Sequence, residues 1–178
     1  MKNVKRWRKM RTFKEYLTES VDIKVKSPQQ STDSEIEAFI SLVIEGGQVA
    51  ISGLEGRIKN SKLLGFAYEN GQLVGVRAIK KPVESYKQRV FKKSGVPEMS
   101  KRYKYEVGYA YTSPNMRNKG VYKDMTKEMF KGLKYPVYAT TRSTNKTVIK
   151  TLEKNGFVIT GEPFKGDGNY NIILLTKL

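Results

Sequence analysis

The sequence predicts one α/β domain built on a sheet of mixed direction. Two observations lead there. Segments of strand period alternate with segments of helix period along the 178 residues. Two strand-like runs, Leu63 to Tyr68 and Gln72 to Lys80, flank Asn70-Gly71, a dipeptide suited to a tight hairpin turn. The whole order is strand, helices, hairpin, strand, helix, strand, helix and two strands, with no internal repeat.

The elements follow in turn. Residues 1–20 are basic, with Lys2, Lys5, Arg6, Arg8, Lys9 and Arg11 around Trp7, and are expected to form an arm outside the domain at 21–178. Val21, Ile23 and Val25 alternate with charged residues as a first strand, ended by Ser27-Pro28. Thr32 and Glu35 have the spacing of a capping box, in which each side chain bonds the other's backbone N–H. The apolar stripe Ile36, Phe39, Ile40, Val43 and Ile44 follows it, and Gly46-Gly47 closes the helix. Residues 48–61 leave room for a second short helix. Pro82 stops the second hairpin strand, and a basic insertion occupies 83–102, with Val83, Tyr86 and Val90 on one helical face. Tyr103 to Thr112 reads as a strand, Gly120 to Gly132 as a helix, Val137 to Thr141 as a strand and Asn145 to Asn155 as a helix ended by Gly156. Strands at 157–160 and 170–176 complete the chain.

Two absences narrow the chemistry. The chain has no Cys and no His. Disulfides, thiol nucleophiles, Ser-His-Asp or Cys-His hydrolysis and His-ligated zinc are therefore excluded. No metal site is expected, and acid–base work falls to Glu, Asp, Tyr, Lys or water. No stretch approaches the roughly 20 apolar residues that span a bilayer, so no membrane role is expected. The basic start is not followed by an apolar run, unlike a secretory signal. The formal charge of +17 points to a polyanionic partner, or else to a solvated basic surface.

The most informative segment is the connection after the strand at 103–112. Thr112-Ser113-Pro114-Asn115 leads into Arg117-Asn118-Lys119-Gly120, and a helix opens with Val121 and Tyr122. A helix N-terminus presents unpaired N–H groups and a positive dipole end. Glycine lets a ligand approach the backbone, and Arg117, Lys119 and Lys123 add charge. These features suit a pyrophosphate. An ordinary strand-to-helix turn has the same outline.

This segment resembles the CoA-binding motif of the GNAT N-acyltransferases, Arg/Gln-x-x-Gly-x-Gly/Ala between strand and helix. The chain carries Arg117-x-x-Gly120-x-Tyr122, with Tyr122 replacing the small residue. Val137 to Asn145 is similar to the family's next strand and its Asn, and Leu152 to Phe157 to the end of the helix that follows. The resemblance covers roughly residues 21–178. It implies a mixed, mostly antiparallel central sheet with helices on both faces, and acetyl-CoA or another acyl-CoA as co-substrate. It also implies that Tyr109, Tyr111 and Thr112 line the pantetheine arm. Arg117, Asn118, Lys119, Gly120, Val121, Tyr122 and Lys123 would hold the pyrophosphate, with Asn145 beside them. The implied reaction is transfer of the acyl group to an amine by direct attack in a ternary complex.

Glu106 occupies the strand position where some GNAT enzymes carry a glutamate base. On an apolar strand a carboxylate is poorly solvated, which raises its hold on a proton. The other reading is an ion pair between Glu106 and a Lys or Arg of the insertion. Many family members place a Tyr in the last helix to protonate the leaving thiolate, and the equivalent position here is Leu152. Tyr122, Tyr138 and Tyr170 are candidate acids in its place, and the sequence does not choose among them; a thiolate also leaves without help. A GNAT fold that binds nucleic acid and has lost catalysis is the alternative function.

Thr12 to Glu19 is similar to capsid-targeting peptides of internal head proteins of large tailed bacteriophages, which end in Leu/Ile-x-Glu; Leu17-Thr18-Glu19 fits that ending. The resemblance implies cleavage after Glu19 and a place inside the phage capsid. The expected location is the cytoplasm, that of the host if the chain is phage-encoded, or the virion. The basic residues of 80–104 favour an acidic or nucleic-acid-bearing amine acceptor, whose class stays open.

Overall fold

The computed structural model describes residues 21–178, so the expected arm and its cleavage site lie outside the described residues. Within this range the first half comprises β1 (Asp22–Lys26), α1 (Asp33–Glu45), α2 (Leu54–Lys59), β2 (Leu63–Glu69), β3 (Gln72–Lys80) and α3 (Glu84–Lys93). The second half comprises β4 (Tyr105–Thr112), α4 (Val121–Phe130), β5 (Val137–Arg142), α5 (Lys146–Glu153), β6 (Val158–Lys165) and β7 (Asn171–Lys177). One seven-stranded sheet runs in the order β1-β2-β3-β4-β5-β7-β6. Every neighbouring pair is antiparallel except β4 and β5.

Local chemistry fixes the elements where the sequence places them. The Glu35 amide donates to Thr32 Oγ1 at 3.2 Å, and the Thr32 amide donates to Glu35 Oε2 at 2.9 Å, so both halves of the capping box form. Asn70 and Gly71 both take positive φ, 50° and 79°, as the β2–β3 hairpin requires. Strand β4 begins at Tyr105, two residues later than its apolar run suggests. A 3-10 turn at Pro97–Arg102 occupies the preceding segment, and Tyr103 stacks on Phe91 with ring centroids 5.4 Å apart. Strand β6 runs on to Lys165, past an irregular register between Thr160 and Phe164.

Helices cover both faces of the sheet. On one face, Val121, Met125 and Met129 of α4 and Leu152 of α5 pack with Ala67, Ile79, Val107, Ala139 and Leu175. On the other, Ile36, Phe39 and Val43 of α1 and Leu54 and Ile58 of α2 pack on Leu64, Phe66, Val76 and Ala78. Val90 and Phe91 of α3 form a third cluster there with Tyr103, Tyr138 and Leu174. The basic insertion is thus anchored by a buried apolar face, with Lys87 and Ser94 also buried, while most of its charged residues meet solvent. Among the described residues no helix is long and apolar enough to cross a membrane.

Candidate active site at the splayed strands

The site begins with a defect in β4. Val76 of β3 pairs with Tyr111 and Ala78 with Gly108, so Tyr109 and Ala110 together oppose the single residue Arg77. This bulge places Tyr109 at φ 51°, in the left-handed region. Beyond it, β4 has no partner on its other side. Its parallel pairing with β5 is confined to Tyr105–Val137, Glu106–Tyr138 and Val107–Ala139. The two central strands then diverge and open a cavity of about 460 Å³ in the middle of the sheet.

Residues from both faces line this cavity. Arg77, Tyr122, Val148 and Leu152 belong to the face covered by α4 and α5; Lys80, Tyr86, Glu106 and Thr140 lie at its inner end. A ligand lying between β4 and β5 would therefore meet both walls.

At the outer end of β4 stands the turn read from the sequence. Asn118 and Gly120 take φ of 64° and 84°, and Gly120 is the residue from which α4 starts. The amides of residues 118–123 have no hydrogen-bond acceptor among the described residues. Six consecutive free N–H groups at the positive end of a helix form an anion cradle. The Arg117 Nε donates to the Thr112 carbonyl at 3.2 Å, which folds the side chain back along the turn. Lys119 lies 3.9 Å from Glu69 and Lys123 3.6 Å from Asp124, both exposed contacts of little energetic weight. Val121 is buried in the core, so only its backbone is available to a ligand. The residues present fit a pyrophosphate.

The inner end is built around Glu106, which is 2% exposed. The Lys80 ammonium lies 2.8 Å from its Oε2, a charge contact without the alignment of a hydrogen bond. The hydroxyls of Tyr86 and Thr140 each donate to Oε1 at 3.3 Å. Glu106 is therefore not an isolated carboxylate: it forms an ion pair, though with Lys80 of β3 and not with a Lys or Arg of the insertion at 83–102. Its partner is the last residue of β3, directly across the ladder. Gly108 makes this contact feasible. A Cβ there would come within 2.7 Å of Lys80 Cε, so a larger residue would push the lysine side chain aside. Burial works against the Lys80 charge, but Glu106, Tyr86 and Tyr109 hold its pKa above the ordinary lysine value. Burial also pushes the Tyr86 phenol up to about 12 and the Tyr138 phenol well above its usual range. Both stay neutral at physiological pH.

The other expected site residues are distributed along the same cleft. Tyr109 and Tyr111 line it; the Tyr111 hydroxyl donates to Glu45, and Arg57 Nε donates to the Tyr109 hydroxyl at 3.3 Å. Thr112 ends β4 and gives its carbonyl to Arg117. Asn145 lines the cavity and caps α5, accepting from the Val148 amide at 3.3 Å. Tyr122 turns its ring onto the Arg77 guanidinium, 4.4 Å from Cζ, so the replaced small residue of the motif contributes to the cavity wall. Tyr170 lies over Arg142 at 4.3 Å on the far rim, and Tyr138 has a buried hydroxyl without a partner. Leu152 is buried in the wall and supplies no proton.

Sequence reasoning did not find Lys80 as the partner of Glu106, nor Tyr86, Thr140 or Arg77 as parts of the site. Arg77 alone left a signal, being the one charge inside the apolar run Leu73 to Ile79.

Solved structures share this arrangement of sheet and helices. The fold is that of the GNAT acyltransferases. An acyl-CoA N-acyltransferase from Pseudomonas aeruginosa aligns with a TM-score of 0.65 at 18% identity, over 89% of this chain and 100% of that one. Escherichia coli ElaA aligns with a TM-score of 0.66 at 14% identity, over 89% and 100%. A GNAT family acetyltransferase from Elizabethkingia anophelis, solved with acetyl-CoA bound, aligns with a TM-score of 0.55 at 14% identity, over 88% and 97%. No family model and no curated protein matches the sequence.

Proposed function

We propose that the protein transfers an acyl group, acetyl or a related one, from acyl-CoA to an amine in a ternary complex. The observation that carries this reading is the splay of β4 from β5 beside a cradle of six free amides. The cradle suits the pyrophosphate. The unpaired backbone of Tyr109 to Thr112 suits the amide-bearing pantetheine arm, and the inner end of the cleft suits the thioester. The neutral amine attacks the thioester carbonyl carbon; the C–N bond forms and the C–S bond breaks. Glu106, directly or through one water, takes the proton that the amine releases. The thiolate leaves with a proton from Tyr122 or from water. Lys80 is a positioning residue that compensates the buried carboxylate's charge, and Tyr86 and Thr140 orient its Oε1.

A second reading, a GNAT fold that binds nucleic acid without catalysis, is favoured by Leu152 at the usual position of the acid and by the charge of +17. In that reading the protein is packaged with DNA and the arm directs it to the capsid. One assay separates the two. The chain has no Cys, so a thiol-reactive dye reports only released CoA. With acetyl-CoA and a panel of polyamines, amino acids, lysine peptides and aminoacyl-tRNA, amine-dependent thiol release supports the enzyme. No release with any amine or acyl-CoA, together with nucleic-acid binding, supports the second reading.

A further inference from the structure

A second, smaller cavity of about 150 Å³ adjoins the first. The two share Tyr86, Thr140, Tyr170 and Ile172 in their linings. Tyr86 and Thr140 are the residues whose hydroxyls donate to Glu106, so the small cavity begins one side chain away from the proposed base. It lies on the side of the basic insertion. Helix α3 supplies one wall with Arg89 and Lys93, and the β6–β7 hairpin supplies the other with Phe164, Lys165 and Asp167. The charge of this lining is one-sided. Arg89 and Lys93 are one helical turn apart and share a face of α3. Aromatic rings hold both cations at the cavity: Arg89 Cζ lies 5.7 Å from the Tyr86 ring centroid and Lys93 Nζ 5.8 Å from that of Phe164. Asp167 is the single carboxylate of the lining, against the three cations Arg89, Lys93 and Lys165. None of these four residues forms an ion pair among the described residues. The acid of α3, Glu84, is taken by Lys87 at 2.8 Å and by the Gln88 amide at 3.1 Å. A merely solvated basic face would scatter its cations over the outside of the helix; these converge on an aromatic-walled recess beside Glu106.

We propose that this second cavity receives an oxyanion of the acceptor, a carboxylate or phosphate carried on the same small molecule as the reacting amine. The inference rests on the acyltransferase reading above. Position argues for the acceptor and against the donor. The cradle is the N-terminus of α4, on one face of the sheet, whereas Tyr86, Thr140 and α3 belong to the inner end and the opposite face. A donor lying along β4 from the cradle therefore leaves the second cavity free, and an acceptor seated there meets the cleft at Glu106. Size argues for one group of the acceptor and not the whole of it. The cavity is smaller than the roughly 300–1,000 Å³ of pockets that enclose a drug-sized ligand, so it suits an oxyanion with its neighbouring carbons while the amine stands in the main cleft. Charge then selects the group: three cations against one carboxylate favour an anion over a second ammonium. The transfer step is unchanged. The amine nitrogen displaces the thiol, its proton goes to Glu106, and the oxyanion keeps its charge throughout.

The test follows thiol release from acetyl-CoA with matched amines: glycine, β-alanine and phosphoethanolamine against glycinamide, β-alaninamide and ethanolamine. The wild type is compared with the triple variant Arg89→Met/Lys93→Met/Lys165→Met, whose three sites are exposed and whose fold should persist. In the wild type kcat/KM should be about tenfold higher for the oxyanion member of at least one pair, the lower end for a charged hydrogen bond because water reaches these cations. The triple variant should lose that preference through KM, with kcat and the rates of the uncharged amines unchanged. Raising salt should erode it in the wild type. A peptide with an acidic N-terminal residue is a further arm: kcat/KM above that of every small acid assigns the seat to a peptide and overturns the small-molecule acceptor. Titration of the CoA-saturated protein with inorganic phosphate reads the seat without turnover, and its affinity should fall about tenfold in the triple variant. If no amine of the panel reacts, this titration decides. Equal kcat/KM within every pair, or a preference or phosphate affinity that survives in the triple variant, overturns the proposal. If acetyl-CoA does not bind, the acyltransferase reading itself has failed; if acetyl-CoA binds and turns over while the pairs are equal, only the oxyanion seat has failed.

Discussion

The ion pair between Lys80 and Glu106 gives the sharpest stability prediction. The two side chains are 18% and 3% exposed, with 2.8 Å between Nζ and Oε2. At an effective dielectric constant of about 20 the gross attraction is 332/(20 × 2.8), about 6 kcal/mol. Desolvation of both ions offsets most of it in the intact pair. Lys80→Met removes the attraction and leaves the cost, since Glu106 remains buried with only two long hydroxyl contacts. Breaking a buried pair in this way costs about 3–5 kcal/mol, and partial access of water to Lys80 favours the lower end, about 3 kcal/mol. Urea unfolding at pH 7 measures it. The double variant Lys80→Met/Glu106→Gln, which has no buried charge here, should recover most of the loss. The pH dependence has a definite sign. The folded pKa of Lys80 is raised, so the pair's contribution is complete below the ordinary value of 10.5 and is lost as pH rises through the folded pKa. The gap between wild type and Lys80→Met should therefore close in the alkaline range. Tyr86, whose pKa burial raises to about 12, titrates in the same alkaline range, and because Lys80 lowers that pKa its titration moves further up in Lys80→Met. A Lys80→Met protein within about 0.5 kcal/mol of wild type at pH 7 would refute the buried-pair argument.

Glu106→Gln should lower the acyl-transfer rate at pH 7 by about 10²- to 10⁴-fold, with the deficit shrinking at high pH where the amine deprotonates unaided; full activity at pH 7 removes Glu106 as base. Gly120→Val places a β-branched residue at φ 84°, a strained conformation that should distort the cradle and abolish CoA binding with a preserved circular dichroism spectrum. Unchanged CoA affinity in that folded variant moves the site elsewhere. The basic surface should bind DNA and RNA without sequence preference, with affinity falling steeply as salt is raised. Absence of binding to duplex or single strands at about 50 mM salt would leave the +17 charge without that role.

Local signals were legible and long-range ones were not. The Thr32–Glu35 box, the Asn70-Gly71 hairpin and the Gly120 turn each depend on neighbours a few residues apart, and each forms where its spacing indicates. The extra residue in β4 opposite Arg77 cannot be seen in period-two alternation, because it depends on the register with β3. The pairing of Glu106 with Lys80 depends on the same register. Arg77 stood out as a charge in an apolar run, but its partner Thr126 lies 49 residues away on α4. The sequence shows that the arginine is anomalous; only the tertiary structure shows that it lines a cavity and has no counter-ion among the described residues.

In the proposed function the splayed strands and the free amides of residues 118–123 form an acyl-CoA site. Calorimetric titration of the full chain with CoA and acetyl-CoA tests it most directly. One site per chain is expected, with a dissociation constant in the micromolar to millimolar range usual for enzyme substrates, about 1 μM–1 mM, lost in Gly120→Val. No heat and no protection of the fold by either ligand at millimolar concentration would contradict it.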